Sequence, residues 1–257
     1  MRFVPYALTE DGISVHYDVR GTGDPLLLIA GQSNSRHWWD WVRPYFAESF
    51  TTIAFDHRGT GASDKPEGDY STVMFAEDAR AVLDDLGVGR AHVYGTSMGG
   101  RAAQWLAALH PSRVERLVLG CTSPGGPHGF ERGPEVRKAL AQPDRGKALQ
   151  ALIDLMYTPG WNGPYSTVGD PDMPPYARRA HLLASAAHNG WDALAAIKAP
   201  TLVVHGSDDE FNPTANAPLI ADRVPDSRLH LIEGARHAYF EEFHGEAGPL
   251  VADFLTA

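Results

Sequence analysis

Ala91-His92-Val93-Tyr94-Gly95-Thr96-Ser97-Met98-Gly99-Gly100 is the stretch on which the fold turns. A short apolar run enters, a Gly-x-Ser-x-Gly turn follows, and an amphipathic run over 99–109 leaves. A serine on so sharp a strand-to-helix turn takes up a strained backbone. Its neighbours two residues away must be small, or strand and helix could not pass closely. The turn holds Ser97 Oγ out at the top of a sheet. It also aims the first N–H groups of the following helix, that of Met98 among them, at any negative charge that develops there. The plain alternative is a serine N-cap after an ordinary strand. The strand pattern before Ser97 and the helix pattern after it favour the first reading.

Outward from this turn, short apolar runs alternate with longer amphipathic ones. The strand-like runs are 13–19, 26–30, 51–55, 92–95, 116–119, 201–205 and 229–232. Several are continuous in Val, Ile and Leu, as strands covered on both faces require. Helix-like runs span 72–86, 99–109, 215–223 and 245–255. In the first, Phe75, Ala79, Val82, Leu83 and Leu86 share one helical face. Such alternation predicts βαβ units, a mostly parallel sheet and right-handed crossovers.

One segment breaks the rhythm. Residues 127–189 carry no strong strand run. They hold helix-like pieces at 135–141, 147–156 and 175–188, around the breaker-rich loop Pro159-Gly160-Trp161-Asn162-Gly163-Pro164. We expect a helical cap over the C-terminal edge of the sheet, where open α/β sheets bind ligands. The organisation expected is a core of 1–126 and 190–257 with the cap inserted at 127–189.

The chain has 257 residues, 43% of them hydrophobic and 21% charged, enough for one α/β domain with a large core. Lys and Arg number 22 against 32 Asp and Glu, a net charge of −10 that argues against nucleic-acid and anionic-membrane partners. A single cysteine, Cys121, excludes an intrachain disulfide and a cysteine-rich zinc site. Met1–Val4 begin no long apolar leader, and no run of about eighteen apolar residues is present, so a cytoplasmic location is expected. Asp208, Asp209 and Glu210 have no second acidic cluster to complete an oxygen cage, so no metal is expected. Gly21-Thr22-Gly23 reads as a hairpin-type turn, without the helix a phosphate loop needs. No cofactor is expected.

With these motifs in this order, the chain resembles the α/β-hydrolase family over nearly its full length. Leu27-Leu28-Ile29-Ala30-Gly31-Gln32 resembles the strand that ends in the oxyanion loop. Phe55-Asp56-His57-Arg58-Gly59-Thr60-Gly61-Ala62-Ser63 resembles the turn after the next strand. Residues 199–209 resemble the strand delivering an acid, and Glu233-Gly234-Ala235-Arg236-His237 the loop delivering a histidine. The resemblance implies an eight-stranded, mostly parallel sheet flanked by helices, and a Ser-Asp-His chain order. It implies the backbone N–H of Gln32 as an oxyanion donor beside that of Met98. Where the family often carries His-Gly, this chain has Ala30-Gly31.

A serine hydroxyl needs a base that titrates near neutrality, which favours histidine. Of twelve histidines, His205 sits inside an apolar strand, His230 on the last strand, His188 in the cap and His244 at the start of the terminal helix. His237 alone lies in a loop just after a core strand on the edge that carries Ser97. The base needs an anionic partner. The resemblance puts it three residues after Gly206, at Asp209. Asp208 reads as a turn residue, and Asp226 and Asp56 are further candidates.

Trp38, Trp161, Trp191 and Cys121 are the expected pocket residues, whereas Trp39 and Trp41 read as packing the first helix. Arg101 reads as structural, and Arg178 and Arg179 as a solvated helix face. The activity expected is hydrolysis of a small, largely apolar carboxylic ester or lactone through an acyl-enzyme, by a monomer or homodimer. The same triad serves C–C bond hydrolases, enol-lactonases, cofactor-free peroxidases and some hydroxynitrile lyases. A C–C hydrolase would usually carry asparagine where Thr96 stands. A ligand-binding relative without catalysis is the non-enzymatic alternative.

Overall fold

The apolar runs form a sheet because each strand buries alternate residues into two separate cores. A computed structural model describes residues 5–257; Met1–Val4, where no apolar leader was expected, lie outside the described residues. The strands are β1 (Tyr6–Leu8), β2 (Ser14–Arg20), β3 (Asp24–Ile29), β4 (Phe50–Phe55), β5 (Ala91–Thr96), β6 (Val114–Gly120), β7 (Thr201–Gly206) and β8 (Ser227–Ile232). Their spatial order is β1-β2-β4-β3-β5-β6-β7-β8. β2 pairs antiparallel with β1 and β4, and every other pairing is parallel.

The helices are α1 (Arg43–Ala47), α2 (Thr72–Asp85), α3 (Met98–Leu109), α4 (Pro134–Leu140), α5 (Arg145–Met156), α6 (Pro175–Ala186), α7 (Trp191–Leu194), α8 (Asn216–Arg223), α9 (Tyr239–Glu242) and α10 (His244–Thr256). Leu27 and Ile29 face one core with Phe75 and Val82 of α2 and Leu106 of α3. Leu26 and Leu28 face the other with Phe46 of α1 and Val251 and Phe254 of α10. This period of two, doubled across both faces, is why β3, β5 and β7 read as continuous apolar runs. β8 is the edge, with Leu229 and Leu231 exposed. Ser71 caps α2 by accepting from Met74 N–H.

The sequence reading is corrected at Gly21-Thr22-Gly23. β4 lies between β2 and β3, so the turn is no hairpin but a crossing over the end of β4. Gly21, at φ +83°, passes so close to the Ala47 and Phe50 carbonyls that a Cβ would come within 2.4 Å of each. β1, α7 and α9 were not anticipated, being too short for periodicity to register. Between β6 and β7 the chain makes α4 to α7, and an antiparallel bridge of Gly125 with Asn189 draws the ends of that excursion together. Among the described residues no helix is long and apolar enough to cross a membrane.

Candidate active site

β5 ends at Thr96 and α3 begins at Met98, leaving Ser97 alone between them at φ +56°, ψ −122°. That conformation is costly for a residue with a side chain. It is held because Ser97 N–H donates to Gly120 O at 2.8 Å and Ser97 O accepts Thr122 Oγ1 at 2.7 Å, tying the turn to β6. The flanking glycines permit the approach. A Cβ on Gly95 would sit 2.4 Å from Gly99 O, and one on Gly99 would sit 2.1 Å from Ile29 O.

His237 bridges Ser97 and Asp209. Its Nε2 lies 3.0 Å from Ser97 Oγ and its Nδ1 lies 2.7 Å from Asp209 Oδ2. A carboxylate only accepts, so Nδ1 carries the proton and Nε2 is free to accept from the serine. All three side chains are buried, Ser97 being 9% exposed. The histidine loop packs on α5, where Ala238 N–H donates to Met156 O at 2.9 Å. Phe211 packs its ring 4.7 Å from the imidazole.

Asp209 is surrounded by donors. Its Oδ1 accepts Asn212 N–H at 2.9 Å, and its Oδ2 meets both His237 and, at 3.1 Å, His205 Nε2. Burial alone would push this carboxyl up. The attraction of His237 and the hydrogen bonds from both histidines outweigh burial and hold it well below the usual carboxylate range. Asp208 is exposed, and its carboxylate receives Ser207 Oγ at 3.0 Å. The backbone N–H bond expected of Asp208 as a turn residue is made by Asp209 instead. Asp56 is engaged by Arg36, the N–H groups of Arg36 and Ala62, and His16, away from His237.

The loop after β3 lies beside the start of α3. Its support comes from outside the loop, which explains how alanine serves at position 30. His57 Nε2 donates to Ala30 O at 2.9 Å, and Ser33 N–H donates to His181 Nδ1 at 3.2 Å. His181 Nε2 in turn donates to Arg58 O at 2.8 Å. Both rings are neutral because burial depresses them, His57 to about 4 and His181 to about 3. Neither Gln32 N–H nor Met98 N–H has a protein acceptor among the described residues.

The aromatic expectations divide. Trp38 is core: it donates to Thr96 Oγ1 at 2.8 Å, covers Gly31 and stacks on Phe240. Trp39 is fully buried, while Trp41 is exposed beside His244 and packs no core, a departure from the expectation for it. Trp161 stacks on Tyr157. Trp191 is placed against His128 and Arg223, not against the triad. Cys121, fully buried, turns the chain after β6 at φ +39°, and its carbonyl accepts Asn212 Nδ2. Arg101 ties α3 to Ser123 and Ser185, and Arg178 and Arg179 are exposed. His205 was read as a packed strand residue, and its contact with Asp209 was not foreseen. A histidine four residues before the acid, on the same strand end, is the signal that could have shown it.

Residues 24–243 match the family described as the alpha/beta hydrolase fold. The chain is 30% identical to a protein of Azorhizobium caulinodans with the provisional name carbamate hydrolase RutD, over 92% of each chain. It is 31% identical to a 2-hydroxymuconate semialdehyde hydrolase of Pseudomonas sp. strain CF600, over 95% of this chain and 91% of the relative. The solved structure of Est816, described as an N-acyl homoserine lactone degrading enzyme, is 32% identical with a TM-score of 0.83, covering 97% of this chain and 100% of that one. The chain belongs to the α/β-hydrolase family.

Proposed function

We propose that this protein hydrolyses small carboxylic esters or lactones through an acyl-enzyme on Ser97. The observation that carries the reading is His237, in hydrogen-bond reach of Ser97 Oγ at 3.0 Å and Asp209 Oδ2 at 2.7 Å. Ser97 Oγ attacks the carbonyl carbon as His237 Nε2 takes its proton. Asp209 stabilises the imidazolium through Nδ1–H. The N–H groups of Gln32 and Met98 receive the oxyanion, each worth about 2.7–4 kcal/mol of barrier in comparable sites. Collapse expels the alkoxide, which takes the proton back from His237. A water then attacks the acyl-enzyme with His237 as base, releasing the acid and restoring the serine. The lactone-degrading Est816, at 32% identity, supports the substrate class.

A fluorophosphonate probe tests the assignment directly, because it reacts with a serine activated by a base. Peptide mass spectrometry should find the adduct on Ser97 and none in Ser97→Ala. A panel of p-nitrophenyl esters and lactones should be turned over by the wild type and not by that variant. Adduct on another serine with Ser97 unmodified would refute the reading.

A further inference from the structure

Guanidinium groups elsewhere in the core hold carboxylates. Arg43 holds Asp18, Arg58 holds Asp78 at 2.6 Å, and Arg36 holds Asp56 at 2.6 Å. Arg132 does not. It is half-buried in the loop between β6 and α4, and among the described residues its guanidinium makes no hydrogen bond and no ion pair. It rests instead over the ring of Phe211, 3.9 Å from the centroid. That ring is the one packed on His237. With 3.9 Å from cation to ring and 4.7 Å from ring to imidazole, the guanidinium carbon lies no more than 8.6 Å from the centre of His237.

The placement is built. Two residues before Arg132, Phe130 N–H donates to Asn216 Oδ1 at 2.8 Å and Phe130 O accepts Asn216 Nδ2 at 2.9 Å. Asn216 Nδ2 also reaches Asn212 Oδ1 at 3.2 Å, so the Arg132 loop is clamped to the turn that carries Asp209 and Phe211. A second guanidinium without a carboxylate stands one turn past Ser97. Arg101 is held by Ser185 and Ser123, and its Nε is buried with no partner. Asp209 is already committed to two histidines and Asn212 N–H. The carboxylates whose charge reaches Arg132 are exposed Glu131 beside it and Asp209, and among the described residues neither forms an ion pair with it.

We propose that the substrates carry a second group, a free carboxylate, and that Arg132 binds it. This rests on the hydrolase reading and deepens it. The planar guanidinium fork matches a carboxylate in bidentate fashion, and one unpartnered cation is balanced by one singly charged anion. A neutral substrate closing over Arg132 would leave a partly desolvated cation unpaired. The 8.6 Å ceiling between guanidinium carbon and imidazole centre suits a short acyl chain, about five carbons or fewer between the reacting carbonyl and the carboxylate end.

The test compares p-nitrophenyl hydrogen glutarate with its neutral methyl diester analogue, in wild type, Arg132→Gln and Arg132→Lys. Protection of Ser97 from fluorophosphonate by glutarate and by dimethyl glutarate is read alongside. We expect the wild type to favour the anion by about tenfold or more in kcat/KM. Arg132→Gln should remove that ratio and Arg132→Lys keep part of it, and glutarate should protect Ser97 better than its diester. A wild type that favours the neutral partner, a ratio unchanged in Arg132→Gln, or equal protection would overturn the proposal. Each of those outcomes is read on a Ser97 that still takes the probe. A Ser97 that does not take it sinks the hydrolase reading itself, and this proposal with it.

Discussion

His205 Nε2 lies 3.1 Å from Asp209 Oδ2, the carboxylate oxygen that also receives His237 Nδ1 at 2.7 Å. The same His205 nitrogen faces Asn212 O at 2.8 Å, another pure acceptor, so it carries a proton shared between the two. Its Nδ1 is buried without a partner. Asp209 is thus gripped from the strand side by His205 as well as by His237.

Replacing His205 by Met removes that donor at similar bulk, while Gln keeps an N–H at similar reach. A hydrogen bond to a charged group is worth about 1.5–3 kcal/mol, so His205→Met should lose about tenfold or more in kcat with KM little changed. His205→Gln should recover most of it. Steady-state kinetics with melting curves decide the matter. Equal losses in both variants that track stability would leave His205 a packing residue only.

Asp209→Asn should lower kcat by at least about a hundredfold. The amide cannot stabilise the imidazolium and can favour the wrong tautomer, a swap that costs about 10⁴ in the serine-protease example of the same chemistry. Asp208→Asn should change kcat little, because that carboxylate is exposed and meets only Ser207. Kinetics on both variants, with circular dichroism as a fold check, test the pair. The reverse pattern would move the role to Asp208.

Ser97→Ala and Ser97→Gly should both be inactive yet differ in stability. At φ +56° and ψ −122° any Cβ is strained, at about 1–3 kcal/mol. Glycine relieves that strain and loses part of the gain to unfolded-chain entropy, about 0.4–1 kcal/mol. Ser97→Gly should therefore be the more stable variant by about 1 kcal/mol in urea unfolding. Equal midpoints would show the turn to be unstrained.

Stability should fall between neutral pH and pH 4. In the unfolded chain an imidazole titrates near about 6.5. In the fold, burial lowers His57 to about 4 and His181 and His188 to about 3. Over that interval the unfolded chain binds more protons, so the stability is complete above about pH 6.5 and is lost as pH drops toward the folded values. Each group contributes a slope of about 1.4 kcal/mol per pH unit. His188→Gln should flatten the measured slope by one such step. Denaturant unfolding across the range would show an unchanged slope if His188 is not among the groups responsible.

The sequence by itself determined the fold class and most of the longer elements. Ser97 was legible because its turn, strand and helix are adjacent in the chain, and the two-residue and helical periods are local properties. Asp209 and His237 were legible as neighbours of Ser97 through motif order at strand ends. Tertiary structure decided what depends on contacts between distant residues. Pairing of β2 with β4 rather than β3 made Gly21-Thr22-Gly23 a crossing over a strand end. His57 and His181 came to support the loop at Ala30 from residues 27 and 148 positions away along the chain. Trp38 went into the core and Trp191 away from the triad, although both read as pocket aromatics. Whether an aromatic fills a core or lines a site depends on which surface the fold brings against it, and composition and spacing carry no record of that. The same holds for Arg132, which looks like any loop arginine until packing sets it on Phe211 beside His237.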